Sequence, residues 1–256
     1  MSAPALETRG VSMSFGALAV ARDITLTLPR GARRGLIGPN GAGKTSLVDL
    51  ITGVLKPSAG RVLLNGEDIT HLSQEARARR GLARTFQINQ LFRGLSVLEN
   101  VCLAIGERTG ACNNLFRPAG SKPAVIEEAL EHLAAHRLVE DALRPVRELA
   151  YGRQRLVEIA LALAQRPRVL LLDEPAAGVS SRESHLILDV LERLDEEIAI
   201  LIIEHDMDVV FRFAREITVL VGGAVLMEGS PEEVAADARV RAVYLGEEVR
   251  ERTRHG

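Results

Sequence analysis

The residues Gly38, Pro39, Asn40, Gly41, Ala42, Gly43, Lys44 and Thr45 run in the order and spacing that hold a nucleoside triphosphate. They fit the P-loop pattern G-x-x-x-x-G-K-[ST] in full. Each residue type has its chemistry. Glycines let the backbone approach a triphosphate and turn several N–H groups toward it. The Lys44 ammonium is placed to reach β- and γ-phosphate oxygens, and the Thr45 hydroxyl to ligate Mg²⁺, with Ser46 next in line among the phosphate-binding residues. A chance match in an ordinary glycine-rich turn is the plainer alternative, and the context argues against it. GLIG supplies a strand before the loop, and LVDLITG after it reads as a helix whose N-terminus faces the phosphates and which stops at Gly53.

A second constellation lies at VLLLDEP, Val169 to Pro175. An apolar strand that delivers an acidic pair at its end is the Walker B arrangement. Asp173 is placed to hold the metal of Mg²⁺–ATP, and Glu174 to act as general base on the attacking water. Alone the pattern is weak, because acidic residues often cap strands. It gains force from the phosphate loop.

The elements that position these residues alternate between short aliphatic runs and helical patterns, the signature of βαβ units and a parallel sheet. Expected strands are Ile24–Leu28, Arg34–Ile37, Arg61–Leu64, Val169–Leu172 and Ile198–Ile203. ITVLV and AVLMEG flank Gly222-Gly223, which reads as a tight hairpin. Leu6–Phe15 with Arg61–Leu64 predicts a further antiparallel layer. Between about residues 89 and 160 the β signal gives way to a helical insert, with a helix expected over Ala124–Arg137 and an exposed loop over GERTGACNNLFRPAGSKP before it.

Composition bounds the setting. The chain has 256 residues, of which 46% are hydrophobic and 26% charged, as in an ordinary globular protein. A formal net charge of −2 offers no general field toward nucleic acid, so no nucleic-acid partner is expected. Cys102 and Cys112 lack neighbouring His or Cys at metal-ligand spacing and read as plain thiols in a reducing compartment. The N-terminus does not read as a signal peptide. No apolar run approaches the ~20 residues needed to span a bilayer, so a role at a membrane means docking on chains that span it.

LAYGRQRLVEIALAL, Leu149 to Leu163, lies ahead of the acidic pair and resembles the signature motif of the ABC transporter ATPases. The resemblance spans most of the chain. It implies an α/β fold of the P-loop NTPase class: an ABC-type nucleotide-binding domain over residues 4–248, with an antiparallel β subdomain and an inserted helical subdomain, followed by a charged tail at 249–256. It assigns Phe15, in VSMSFG, to stacking on adenine and Gln87, in RTFQ, to the Q-loop that senses metal and water. His205, in IIEHDM, becomes the switch histidine at the γ-phosphate, and Ala150, Tyr151 and Gly152 the signature that meets ATP held by a partner subunit. Phe86–Leu103 corresponds to the stretch that faces the membrane subunits. Singly, each residue has a plainer structural reading, Phe15 as core among them; their shared order carries the assignment.

Within that family GPNGAGKTSLVDLITGVLKPSAG, RTFQINQLFRGLSVLENV, DEPAAGV, IEHDMDVV and the terminal VYLGE are similar to the branched-chain amino acid importer ATPases. The resemblance implies solute import driven by ATP hydrolysis at the cytoplasmic face of the membrane. The partners it implies are a second ATPase subunit, transmembrane permease subunits and a solute-binding protein. Lipopolysaccharide-type export ATPases share IEHDM and YLGE, and a non-transport ABC ATPase is a further alternative. The chain departs from the common signature: Ala150 stands where a Ser hydroxyl would meet the γ-phosphate, Tyr151 where a Gly is usual, Arg153 for a Gln, and Ser180 for an acidic residue or Asn. Losing one charge-assisted hydrogen bond costs about 1.5–3 kcal/mol if nothing replaces it, which favours pairing with an unlike, better-endowed subunit.

Overall fold

A computed structural model describes residues 3–85, 91–110 and 122–244. The chain divides into two compact units, Met1–Arg77 with Glu196–Gly256, and Ala78–Asp195.

The first unit holds two groups of strands. β1 (Leu6–Phe15) pairs antiparallel with β2 (Leu18–Leu28) and with β4 (Ala59–Leu64), and β5 (Glu67–Asp68) lies beyond β4. Period-two alternation sets the faces: Ile24, Leu26 and Leu28 of β2 are buried, and Thr25 and Thr27 between them are exposed. Where the β1–β2 register shifts between Thr8 and Val11, the Thr8 hydroxyl donates to Ile24 O at 3.0 Å and accepts from Leu26 N at 3.0 Å. The second group centres on β3 (Arg33–Ile37), parallel to β8 (Ala199–Ile203) and β9 (Glu216–Val221), with β10 (Ala224–Gly229) antiparallel to β9. Every residue of β3 and β8 is buried. AILII therefore reads as an unbroken apolar run, as parallel strands covered on both faces do.

Helix α1 (Lys44–Thr52) follows β3 and ends at Gly53, which takes the left-handed conformation at φ 85°. A buried cation finishes this end. Arg77, in the short helix α2 (Gln74–Ala78), donates to the carbonyls of Leu50 at 2.8 Å, Ile51 at 2.6 Å, Thr70 at 2.7 Å and Leu72 at 3.1 Å. Its charge meets the negative end of the α1 dipole. Helices α7 (Met207–Phe213) and α8 (Pro231–Ala236) close a core of Ile37, Val210, Ala214, Ile217, Val219 and Val234.

The second unit pairs a short strand β6 (Leu82–Arg84) in parallel with β7 (Val169–Asp173) and carries helices α3 (Val97–Arg108), α4 (Pro123–Ala135), α5 (Tyr151–Ala164) and α6 (Ser181–Glu192). The helical insert expected over about 89–160 falls inside this unit, which also takes in β6, β7 and α6. Of the loop expected over 106–123, the first three residues belong to the end of α3, Pro123 begins α4, and residues 111–121 lie outside the described residues. The Arg108 side chain ties the end of α3 to Ala164 O at 2.8 Å and to the Glu128 carboxylate at 2.6 Å. The strand expectations hold closely except that β2 begins at Leu18 rather than Ile24. Gly222 and Gly223, at φ 54° and 81°, form the expected β9–β10 turn.

Candidate functional site

The phosphate loop occupies the first unit, between β3 and α1, and is braced from outside. Gly223 N donates to Ala42 O at 2.9 Å, and Arg22 N of β2 donates to Gly223 O at 2.7 Å. Gly43 caps α1 at φ 100°, and a Cβ there would lie 2.4 Å from Val20 O. Only glycine combines that backbone with that proximity. The Lys44 ammonium is folded back over the loop, donating to Gly38 O at 2.5 Å and Pro39 O at 3.1 Å. On the other side lies open space: a Cβ on Gly41 would meet no atom within 4 Å. Thr45 is exposed and Ser46 half-buried at the start of α1. The loop thus gathers backbone amides, a helix N-terminus and the Lys44 ammonium, groups that fit phosphate oxygens.

Phe15 ends β1 with half its surface, 51%, exposed. It is therefore not core, and its ring is available to stack. His205 follows β8 with its side chain largely exposed. Its Nδ1 lies 3.8 Å from a carboxylate oxygen of Glu204, whose own side chain is buried.

In the second unit β7 delivers the acidic pair. Asp173 meets Arg84, the last residue of β6, with Arg84 Nη2 donating to Asp173 Oδ2 at 2.5 Å. Thr85 stitches the same place: its N–H donates to Leu171 O at 2.9 Å, and its hydroxyl accepts from Asp173 N at 3.4 Å. Glu174 stands in the left-handed region at φ 46°, a conformation that costs a non-glycine residue roughly 1 kcal/mol or more. Mg²⁺ takes oxygen ligands, and the Thr45 hydroxyl and Asp173 carboxylate supply the right donor type. The guanidinium on Asp173 already brings it positive charge.

Ala150, Tyr151 and Gly152 open α5. Ala150 is its N-cap with no side-chain cap bond, so a Ser at this place would add a cap worth ~1 kcal/mol. Tyr151 is 42% exposed, and Arg155 holds it by a 3.0 Å hydrogen bond to the phenol oxygen and a guanidinium 5.2 Å from the ring centre. Arg155 in turn pairs with buried Glu158 at 2.9 Å. Burial pushes the Glu158 carboxyl up, against the pull of Arg155. A Cβ on Gly152 would lie 2.6 Å from the carboxyl group of Glu183. Ser180 at the head of α6 forms a capping box with Glu183, so its hydroxyl caps the helix. Hydrogen bonds from the Ser180 hydroxyl and backbone, and from Gly152 N–H, hold the Glu183 carboxyl below its ordinary value. Arg153 is bound to the carboxylate of Asp141, giving the residue in place of Gln a structural partner.

Phe15, the phosphate loop and His205 thus belong to the first unit, and Ala150–Gly152, Asp173 and Glu174 to the second. Gln87, Cys112 and the tail at 249–256 lie outside the described residues. Three participants escaped the sequence reading. Glu183 was signalled by Ser-x-x-Glu ahead of an apolar run. Gly223 was legible as a turn but not as a brace. Arg84 gave no local sign, since its partner lies 89 residues away.

With this geometry in place, likeness to known proteins defines the class. Residues 21–177 match the ABC transporter family, and residues 224–250 match the branched-chain amino acid ATP-binding cassette transporter family. The high-affinity branched-chain amino acid transport ATP-binding protein BraF of Pseudomonas aeruginosa is 37% identical over 96% of this chain and 100% of its own length. The ADP conformation of MJ1267, an ATP-binding cassette of an ABC transporter, superposes with a TM-score of 0.85 at 33% identity, covering 95% of this chain and 99% of that one. The dimeric post-hydrolysis structure of the cassette MJ0796 bound to ADP and phosphate matches with a TM-score of 0.74 at 26% identity, over 88% and 98% of the two chains. This chain belongs to the ABC transporter family. Within it, the C-terminal match places it with the branched-chain amino acid cassettes. Among the described residues no helix is long and apolar enough to cross a membrane.

Proposed function

We propose that this chain is the ATP-hydrolysing subunit of an importer for branched-chain amino acids or a related small solute. The carrying observation is the phosphate loop, with Lys44 folded onto its carbonyls at the N-terminus of α1. Lys44 exchanges the carbonyls of Gly38 and Pro39 for β- and γ-phosphate oxygens when the nucleotide enters, and the adenine stacks on Phe15. Mg²⁺, when bound, neutralises phosphate charge; Thr45, Asp173 and Gln87 are the residues to hold it. Glu174 takes a proton from the attacking water as the bond between the γ-phosphorus and its bridging oxygen breaks, leaving ADP and phosphate. His205 contacts the γ-phosphate from the end of β8.

The proposed assembly sits on the cytoplasmic face of the membrane. It joins this chain to a second ATPase subunit, to permease subunits that span the bilayer and to a solute-binding protein. Ala150 favours an unlike second subunit, since the capless head of α5 offers no hydroxyl to the partner's ATP. In that pairing, ATP held here meets the partner's fuller signature.

Glu174→Gln tests both points. The variant should bind ATP without turning it over; hydrolysis at the wild-type rate in the assembled transporter would remove Glu174 from its role. Followed alone by light scattering with MgATP, it should stay monomeric despite confirmed nucleotide binding. An ATP-dependent shift to dimer would mean that the Ala150–Gly152 signature suffices for a matched pair.

A further inference from the structure

Asp173, the acid proposed to hold the metal, is bound by a cation of the chain's own. Arg84 and Asp173 end neighbouring parallel strands, with Arg84 in register with Leu171, two residues before the carboxylate it meets. Their side chains are only 12% and 23% exposed, so water screens the pair weakly. The backbone holds the arrangement from both sides. Thr85 N–H is bound to Leu171 O at 2.9 Å, and the Thr85 hydroxyl receives the N–H of Asp173 at 3.4 Å. A guanidinium fixed at 2.5 Å from a carboxylate oxygen claims the lone pairs that a divalent cation would use.

We propose that Arg84 is a placeholder cation: it keeps Asp173 oriented and charge-compensated in the nucleotide-free subunit, and it competes with the divalent cation that arrives with ATP. Arg84 is thus a positioning residue that acts through Asp173, and it lowers metal affinity so that the free ion alone does not fill the site. This rests on Asp173 being a metal ligand. The placement on β6 makes the exchange mechanical as well as electrostatic, because the side chain that loses Asp173 is anchored to the strand beside it.

The test measures Mn²⁺ affinity by electron paramagnetic resonance on the full chain with a saturating non-hydrolysable ATP analogue. Arg84→Gln should bind Mn²⁺ at least about threefold more tightly than the wild type, a part of what one charge-assisted bond is worth. Its nucleotide-free form should melt at a lower temperature, and saturating metal–nucleotide should restore most of the loss. Arg84→Lys, which keeps the charge, should stay near wild-type affinity and guards against misfolding of the Gln variant. Asp173→Asn should weaken Mn²⁺ binding and abolish the effect of Arg84→Gln in the double variant. If Asp173→Asn leaves Mn²⁺ affinity unchanged, the ligand assignment itself fails. If Asp173→Asn weakens binding but Arg84→Gln leaves it equal or weaker, the placeholder is overturned and the ion pair is purely structural.

Discussion

Glu183 and Gly152 are pressed together: the Glu183 carboxyl carbon and one of its oxygens both lie 2.6 Å from where a Cβ on Gly152 would stand. The carboxylate is fixed there by the capping box with Ser180, which leaves the head of α5 room for a hydrogen and nothing larger. A glycine at 152 is therefore demanded by the packing of its own unit.

Gly152→Ala should accordingly cost about 1–3 kcal/mol, the usual penalty for forcing extra carbon into a filled place. Glu183→Ala in the same chain should recover part of it, because the two residues are in contact. Thermal melting of the two single variants and the double variant measures this coupling.

Arg77→Met should be among the most destabilising changes in the first unit. The side chain is 1% exposed, and its removal leaves four carbonyls, on Leu50, Ile51, Thr70 and Leu72, without their donor. At ~1 kcal/mol or more for each orphaned acceptor, a loss of about 3–5 kcal/mol is expected. Arg77→Lys should rescue little, since an ammonium lacks the fork that spans these acceptors. Melting temperatures give the ranking.

Stability should fall as pH drops below about 6.5, the ordinary value for histidine. Burial holds the His136 imidazole below that value, and burial does the same to His132, which stacks on it at 6.0 Å. His136 Nδ1 lies 2.6 Å from His132 O and so carries the proton, while Nε2 is buried without a partner. Between the folded and unfolded values the unfolded chain binds more protons, so the contribution is complete above the unfolded value and is lost as pH falls through the folded one. Melting between pH 7.5 and about 5 should show the slope, and His136→Leu should flatten it.

Glu174→Gly should raise the melting temperature while abolishing turnover. Glycine relieves the left-handed backbone at φ 46°, a gain of about 1 kcal/mol. Glu174→Gln keeps a Cβ and should leave the melting temperature unmoved. The pair separates backbone strain from carboxylate chemistry at one position.

Much of this was legible because it is written locally. The aliphatic run at 199–203 and the alternation through Ile24, Leu26 and Leu28 specify strands by period alone. The phosphate loop specifies itself by glycine and lysine spacing. Strand β6 was missed because three residues are too few to show a period. Arg77 and Arg84 were missed because their partners are set by tertiary contact, and a lone arginine carries no sign of whether it meets solvent, a carbonyl or a carboxylate. The left-handed turn at Glu174 likewise follows from the exit of β7, and Glu is not the residue type that announces it.

The brace at Gly223 makes one turn serve two structures. The residue that reverses the chain between β9 and β10 also receives the N–H of Arg22 on β2 and gives its own N–H to Ala42 of the phosphate loop. A side chain that forced this turn open would therefore be felt at the loop and at β2 together, so the hairpin acts as a tensioner on the nucleotide end of the unit.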